Sequence, residues 1–246
     1  MPDALIDPTT QTDRAYLCLR DEILHGALMP GDRLSAAALQ ERFRLGLTPI
    51  REALMRLSSE GLVEAETHRG SRVTPATAAA LADLMATRRE IERLCLLRAM
   101  ELGDANWEAE IVTALHLLTR AQLPASAEDR DAAAGWEVLH RRFHAALVAA
   151  CGSEWKLRFW NTLVDHSARY RKIRLLRHRE AEAEVRDIGA EHDAIARAIL
   201  ARDKVAAPAL MDAHLAATER SVARFLTDDD RLAPRMPARG RRKGDA

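Results

Sequence analysis

From Thr74-Pro75 onward the chain carries one kind of hydrophobic pattern only. Apolar residues return every three to four positions through roughly 150 residues, without the period-two alternation of a half-buried strand. Such a chain buries its apolar stripes helix against helix. Six helices are predicted, at about 76–102, 105–122, 129–151, 153–176, 179–202 and 203–226, the first stopped by Gly103. The first third is organised differently. A helix runs from Thr12 to Gly26, a turn follows at MPGDRL, and Ser35 caps a short helix AAALQERF. Thr48 as N-cap and Pro49 at the first helical position start a third helix, which Gly61 ends. LVEAE and SRVT then alternate on either side of THRG, as a small β-hairpin does.

Three short helices followed by a hairpin is the order of a winged helix-turn-helix. The predicted fold class is therefore mainly α: an N-terminal winged helix-turn-helix over 12–75 and a C-terminal all-α six-helix bundle over 76–228. Residues 1–11 are expected to be a flexible N-terminus, and 229–246, containing RMPARGRRKG, a flexible basic tail.

Composition narrows the function. With 48% hydrophobic and 30% charged residues the chain reads as globular. No apolar run approaches the ~20 residues of a membrane span and no signal segment opens the chain, so a cytoplasmic protein with no membrane partner is expected. Cys18, Cys95 and Cys151 are odd in number and scattered, as free thiols in a reducing compartment are. The formal net charge of zero argues against a general polyanion binder. Charge is nonetheless uneven: Arg42, Arg44, Arg51 and Arg56 face one intervening acid, Glu52.

The third helix sorts its residues. Ile50, Ala53, Leu54 and Leu57 share one apolar face, while Arg51, Met55 and Ser58 share another that is free to enter a DNA major groove. Thr48 and Arg51 stand at its N-terminal end, where a recognition helix reads base edges and an arginine can fork onto guanine. A merely solvated Arg51 is the plain alternative; the surrounding order of elements favours DNA.

The stretch LRDEILHGALMPGDRL…LQERFRLGLTPIREALMRLSSEGLVEAETHRGSRV (19–73) resembles the DNA-binding domain of GntR-family transcription regulators. The PG turn, the TPxREAL helix start and the EGLV…RGxxV wing carry the resemblance. It implies operator contacts from the start of the third helix and the wing tip, at Thr48, Pro49, Arg51, Arg69 and Gly70. Family members often have Ser-Arg before Thr-Pro; this chain has Gly46-Leu47, so its operator need not match theirs. Residues 1–75 hold 9 basic and 11 acidic side chains, so binding must rest on a local basic patch aided by dimerisation on a palindromic site.

The bundle raises a second question. In WEVLHRRFHAAL, His140 and His144 lie one turn apart on the side carrying Trp136, Phe143 and Leu147. His192 lies in a stripe with Ile188, Ile195 and Ile199, and His214 among Leu210 and Ala217. An i,i+4 histidine pair suits one metal ion, and two successive helices packed side by side can aim His192 and His214 at the same point. Each alone reads as a core histidine; four on apolar stripes read as a common cage. His166 is a further candidate to border that cavity. Arg88 shares the stripe of Leu84, Ile91 and Cys95, a buried-side charge whose plain reading is an interhelical ion pair.

The helical region in turn resembles the ligand-binding domain of the FadR subfamily, in its VanR-like branch, through RRFHAALVAACGS and EHDAIARAILARDKVAAPALMDAHL. The resemblance places His144, His192 and His214 on metal-ligand positions and His140 where Asp is usual. A four-imidazole set suits Zn²⁺ or Ni²⁺, and His140 either coordinates or lines the pocket. The resemblance also gives Arg88 the role of holding an effector's carboxylate. The implied function is a homodimeric repressor whose operator affinity is set by a small organic acid in a metal-containing pocket. The alternative is a regulator for which the metal itself is the signal. A zinc hydrolase is disfavoured, because no general base such as the Glu of HExxH stands beside the pair.

Overall fold

The computed structural model describes residues 10–24, 26–66, 70–121, 130–176 and 186–227. Helix α1 (Gln11–Leu24) is followed by strand β1 (Arg33–Leu34), helices α2 (Ala36–Phe43) and α3 (Leu47–Ser59), and strands β2 (Val63–Glu66) and β3 (Gly70–Val73). Six helices complete it: α4 (Ala78–Leu102), α5 (Ala105–Thr119), α6 (Arg130–Val148), α7 (Glu154–Leu176), α8 (Ile188–Leu200) and α9 (Ala206–Thr227). The expected architecture, a winged helix-turn-helix joined to a six-helix bundle, is what the chain adopts.

Two local expectations in the winged part are corrected. Helix α3 starts at Leu47 with Gly46 as its N-cap, not with Thr48. The Gly46 carbonyl accepts the Ile50 amide at 3.3 Å, so the first helical bond closes two residues early, and Pro49 sits in the first turn where a missing N–H costs nothing. Gln11 Oε1 takes the Gly46 amide at 3.4 Å, a contact from 35 residues away that no local signal announces. The wing, expected as a hairpin, has a third strand: Arg33 and Leu34 pair with Arg72 and Ser71, giving the order β1-β3-β2. Two residues are too few to show a period.

The fifth bundle helix, expected from 179, begins at Ile188, where the Asp187 side chain caps the Ala190 amide at 2.8 Å; 177–185 lie outside the described residues. The Asp203 side chain caps α9 through the Ala206 amide at 2.8 Å, three residues after its predicted start. Ser35 and Thr77 cap α2 and α4.

Each part has its own apolar core. Leu19 and Ile23 of α1 pack with Ile50, Ala53, Leu54 and Leu57 of α3 and with Leu62, Val63 and Val73. In the bundle, Leu81, Met85, Leu96, Ile111, Phe143, Leu147, Trp160, Ile195, Ile199 and Met211 are buried together. Among the described residues no helix is long and apolar enough to cross a membrane.

Candidate metal centre and DNA-reading face

Helix α6 buries the stripe Trp136–His140–Phe143–Leu147, which carries His140 and His144 into the bundle. Helices α8 and α9 pack side by side across the short turn at Arg202, whose guanidinium donates to the Met100 and Gly103 carbonyls at 2.9 Å. That pairing brings His192 and His214 to the same place. One potential ligand atom from each of the four imidazoles lies within 4.8 Å of the others, and none of the four residues is more than 4% exposed. His140 Nε2 and His144 Nε2 are 3.2 Å apart, and the His140 ring stacks on Trp136 at 4.5 Å.

Burial foremost depresses every one of these imidazoles, His192 to about 3, so at neutral pH the cluster is four uncharged rings with lone pairs. His140 Nδ1, His144 Nδ1 and His192 Nε2 are buried without a hydrogen-bond partner, an expensive arrangement for polar atoms in an apolar core. His214 differs. Its Nδ1 lies 2.7 Å from Glu191 Oε2. Burial pushes the Glu191 carboxyl up, but hydrogen bonds from His214 and Arg186 outweigh it and hold it at about 2. An ionised carboxylate only accepts, so Nδ1 must carry the proton and Nε2 the lone pair. Arg186, 3.1 Å from Nδ1, therefore acts on His214 through Glu191, to which it donates at 2.6 and 2.5 Å.

Beside the cluster lies a buried polar network. Arg88 donates to Ser167 Oγ at 2.6 Å and lies 3.5 Å from Glu92, one turn on in its own helix, so its ion pair is not interhelical. Burial pushes the Arg88 guanidinium down to about 10, with Glu92 resisting, and leaves it charged at neutral pH. That charge helps to depress His144 and His214. Glu92, raised by burial, takes the Trp160 indole N–H at 2.8 Å. Arg171, also buried, pairs with Glu137 and reaches Ser167 at 3.3 Å. Sequence reasoning missed Arg171 and Glu191; for Arg171 a signal existed, since it continues the Trp160–Val164–Ser167 stripe of α7. His166 does not border the cluster. It faces the DNA-reading part, where a Cβ at Gly61 would lie 3.8 Å from its ring.

In the winged part, Arg51, Met55 and Ser58 of α3 line a groove of about 830 Å³ together with Arg33, Gly70 and Ser71. Thr48 and Arg51 are exposed, Pro49 is half-buried, and Gly70 has φ +89°, a conformation open to glycine. Arg69 lies outside the described residues. Arg42 pairs with Glu22, Arg56 with Asp13 and Glu60, and Arg72 with Glu64 and Glu66. Arg33 and Arg51, at the groove, have no carboxylate partner among the described residues. The acids that cancel the net charge thus leave the groove's own cations free.

A winged helix-turn-helix joined to a helical bundle defines the class of two-domain DNA-binding regulators. Residues 11–73 match the family described as bacterial regulatory proteins, gntR family, and residues 83–217 match the FCD domain. The HTH-type transcriptional repressor GlaR of Escherichia coli is 34% identical over 201 residues, spanning 81% of this chain and 90% of the relative. The uncharacterized HTH-type transcriptional regulator BphR of Paraburkholderia xenovorans is 33% identical, spanning 84% and 83%. Among solved structures, E. coli McbR/YncC superposes with a TM-score of 0.71 at 21% identity, over 88% of this chain and 98% of that one. A GntR regulator from Rhodococcus superposes at 0.66 with 24% identity, over 87% and 98%; these two likenesses speak for the fold. The chain belongs to the GntR family, with an FCD domain, and is a transcription regulator, not an enzyme.

Proposed function

We propose that this regulator is a homodimeric repressor whose operator affinity is set by a small carboxylate bound at a divalent metal in the bundle, the metal being Zn²⁺ or Ni²⁺. The observation that carries the reading is the set of four buried, neutral imidazoles from three helices, each with a potential ligand atom within 4.8 Å of the others. The donor set fits. Tetrahedral zinc with Zn–N of about 2.0–2.1 Å wants nitrogens about 3.3 Å apart, and the His140–His144 pair stands at 3.2 Å. His140, His144, His192 and His214 would hold the ion, and bound metal would offer Lewis-acid coordination to an anion. Arg88 would hold the carboxylate, and neutral ligands around a dication leave the site attractive to one. Thr48, Pro49, Arg51, Arg69 and Gly70 would contact the operator.

A second copy of the chain is the partner favoured by large exposed apolar side chains on the two packed helices α4 and α7. Trp155 is 66% and Phe159 56% exposed, with Leu94 and Leu102 on the neighbouring helix also exposed. A two-fold dimer suits a palindromic site. The alternative, with the metal itself as signal, is favoured by one observation: Arg88 is already engaged by Glu92 and Ser167.

Metal analysis and thermal melts test the reading. Chelator-stripped protein should take up about one Zn²⁺ per chain and melt at higher temperature, because metal held by the folded state alone stabilises it by mass action. His192→Ala should remove most of that shift. Uptake near zero with no shift on adding Zn²⁺, Ni²⁺ or Mn²⁺ would return the four histidines to core packing. A shift in operator affinity on Zn²⁺ alone, with no further response to carboxylic acids, would select the alternative.

A further inference from the structure

Helix α7 touches both the histidine cluster's surroundings and the DNA-reading domain, on different faces. Its inner face carries Trp160, Ser167 and Arg171 into the network of Arg88, Glu92 and Glu137. Its outer face meets the winged domain. Arg169 donates to the Thr74 carbonyl at 2.9 Å, at the junction of the two domains, and His166 lies against Gly61. Next to His166 in the chain stands Asp165, 9% exposed, whose carboxylate is shared. One oxygen takes the guanidinium of Arg20 from α1, and the other takes that of Arg141 from α6. Arg141 also donates to Asn161 at 2.9 Å, and Arg20 lies 3.9 Å from Glu60 at the end of α3.

Arg141 directly follows His140 and precedes His144 by less than a turn. A helix moves as a rod over such a distance, so α6 cannot re-seat its two histidines without carrying Arg141 along. Ser167, which receives Arg88, is two residues from Asp165 on α7. The route through α6 therefore ends on one carboxylate, whose remaining partner belongs to the DNA-reading domain.

We propose that Asp165 is the coupling residue through which occupancy of the histidine cluster alters the seating of the DNA-reading domain. Drawing the four imidazoles, now spread within 4.8 Å, onto one ion displaces α6 against α7, and Arg141 with it. Asp165 then follows Arg141 or is left to Arg20 alone, and in either case the hold on α1 changes. A clasp of this kind has two discrete arrangements that both ends can bias, as coupling between sites requires. The inference rests on the reading that the cluster takes a metal.

The test uses the full chain stripped by chelator, with Zn²⁺ alone as the probe and DNA selected from a random pool by the wild-type protein. Saturating Zn²⁺ should change wild-type affinity for that DNA by about fivefold or more, within the usual range of coupling. Asp165→Asn should bind the same amount of Zn²⁺ with the same thermal shift, yet change its DNA affinity less than about twofold. Arg20→Gln should give the same decoupling from the other side of the clasp, and carries the test if Asp165→Asn folds poorly. A variant that binds Zn²⁺ and keeps the full wild-type response would overturn the proposal. Hydrogen exchange of the metal-free proteins separates the two readings. Losing the clasp should speed exchange of α1 amides by about tenfold, whether or not the cluster takes metal. Unchanged α1 exchange in both variants would overturn the clasp, whereas faster α1 exchange with no Zn²⁺ uptake would overturn the metal reading alone.

Discussion

Lowering the pH of the metal-free protein from 7.0 to 5.5 should destabilise it by an amount that the histidine cluster sets. His140, His144, His192 and His214 are each held below the ordinary imidazole value of 6.5, with burial the foremost cause, and His192 is held at about 3. In the unfolded chain all four take a proton near pH 6.5, whereas in the folded chain His140, His144 and His192 refuse it and His214 takes it less readily. The unfolded state then binds more protons, so the stability is fully present above pH 6.5 and is lost as pH falls below it. For one such group the loss, RT ln(1 + 10^(6.5 − pH)), grows from about 0.2 to about 1.4 kcal/mol between pH 7.0 and 5.5. Three such groups, His140, His144 and His192, give about 4 kcal/mol, to which the lowered His214 adds, against a total stability of about 5–15 kcal/mol for an ordinary domain. The buried Glu92 carboxyl, raised by burial, works in the opposite direction and trims the sum. Urea unfolding at the two pH values with chelator present measures the total. His192→Asn isolates one ring: its loss of stability between the two pH values should be smaller than wild type's by about 1.2 kcal/mol. Identical pH dependence of the two proteins would refute the claim that His192 is kept neutral. A wild-type loss below about 1 kcal/mol would refute it for the whole cluster.

Three further outcomes are expected. Glu191→Gln removes the charge that fixes the His214 tautomer, and should lower Zn²⁺ affinity about 10–100-fold in a competition titration while the metal-free fold survives; unchanged affinity would separate Glu191 from the site. Arg51→Ala should weaken operator binding by about 1–3 kcal/mol in a gel-shift titration at fixed salt, without lowering the melting temperature, because Arg51 is exposed at the groove; full retention of binding would remove α3 as the reading helix. Trp155→Glu with Phe159→Glu should shift light-scattering mass from dimer to monomer, since charges placed on a buried apolar contact lack partners; an unaltered dimer would move the interface elsewhere.

Sequence by itself determined which faces are apolar. The period of 3.6 places Ile50, Ala53, Leu54 and Leu57 on the buried side of α3 and leaves Arg51 outside, and all five are found so. The same local geometry puts His140 and His144 on one stripe with Trp136, and His192 and His214 on the buried sides of their helices, because side-chain direction along a helix depends only on spacing. Tertiary structure decided which stripes meet and which charges find each other. That Arg88 reaches Ser167 across 79 residues, and Arg20 reaches Asp165 across 145, depends on how α4 and α1 pack on α7. Glu191 and Arg186 read as ordinary charged residues until packing of α8 on α9 brings them to His214, and the stripe that carries Arg171 inward does not name Glu137 as its partner. The start of α3, expected at Thr48, falls at Gly46, whose amide the distant Gln11 side chain accepts. Periodicity is a property of neighbours a few residues apart, whereas ion pairs and shared hydrogen bonds form between whatever the collapsed chain brings within about 3 Å, and no local pattern encodes that encounter.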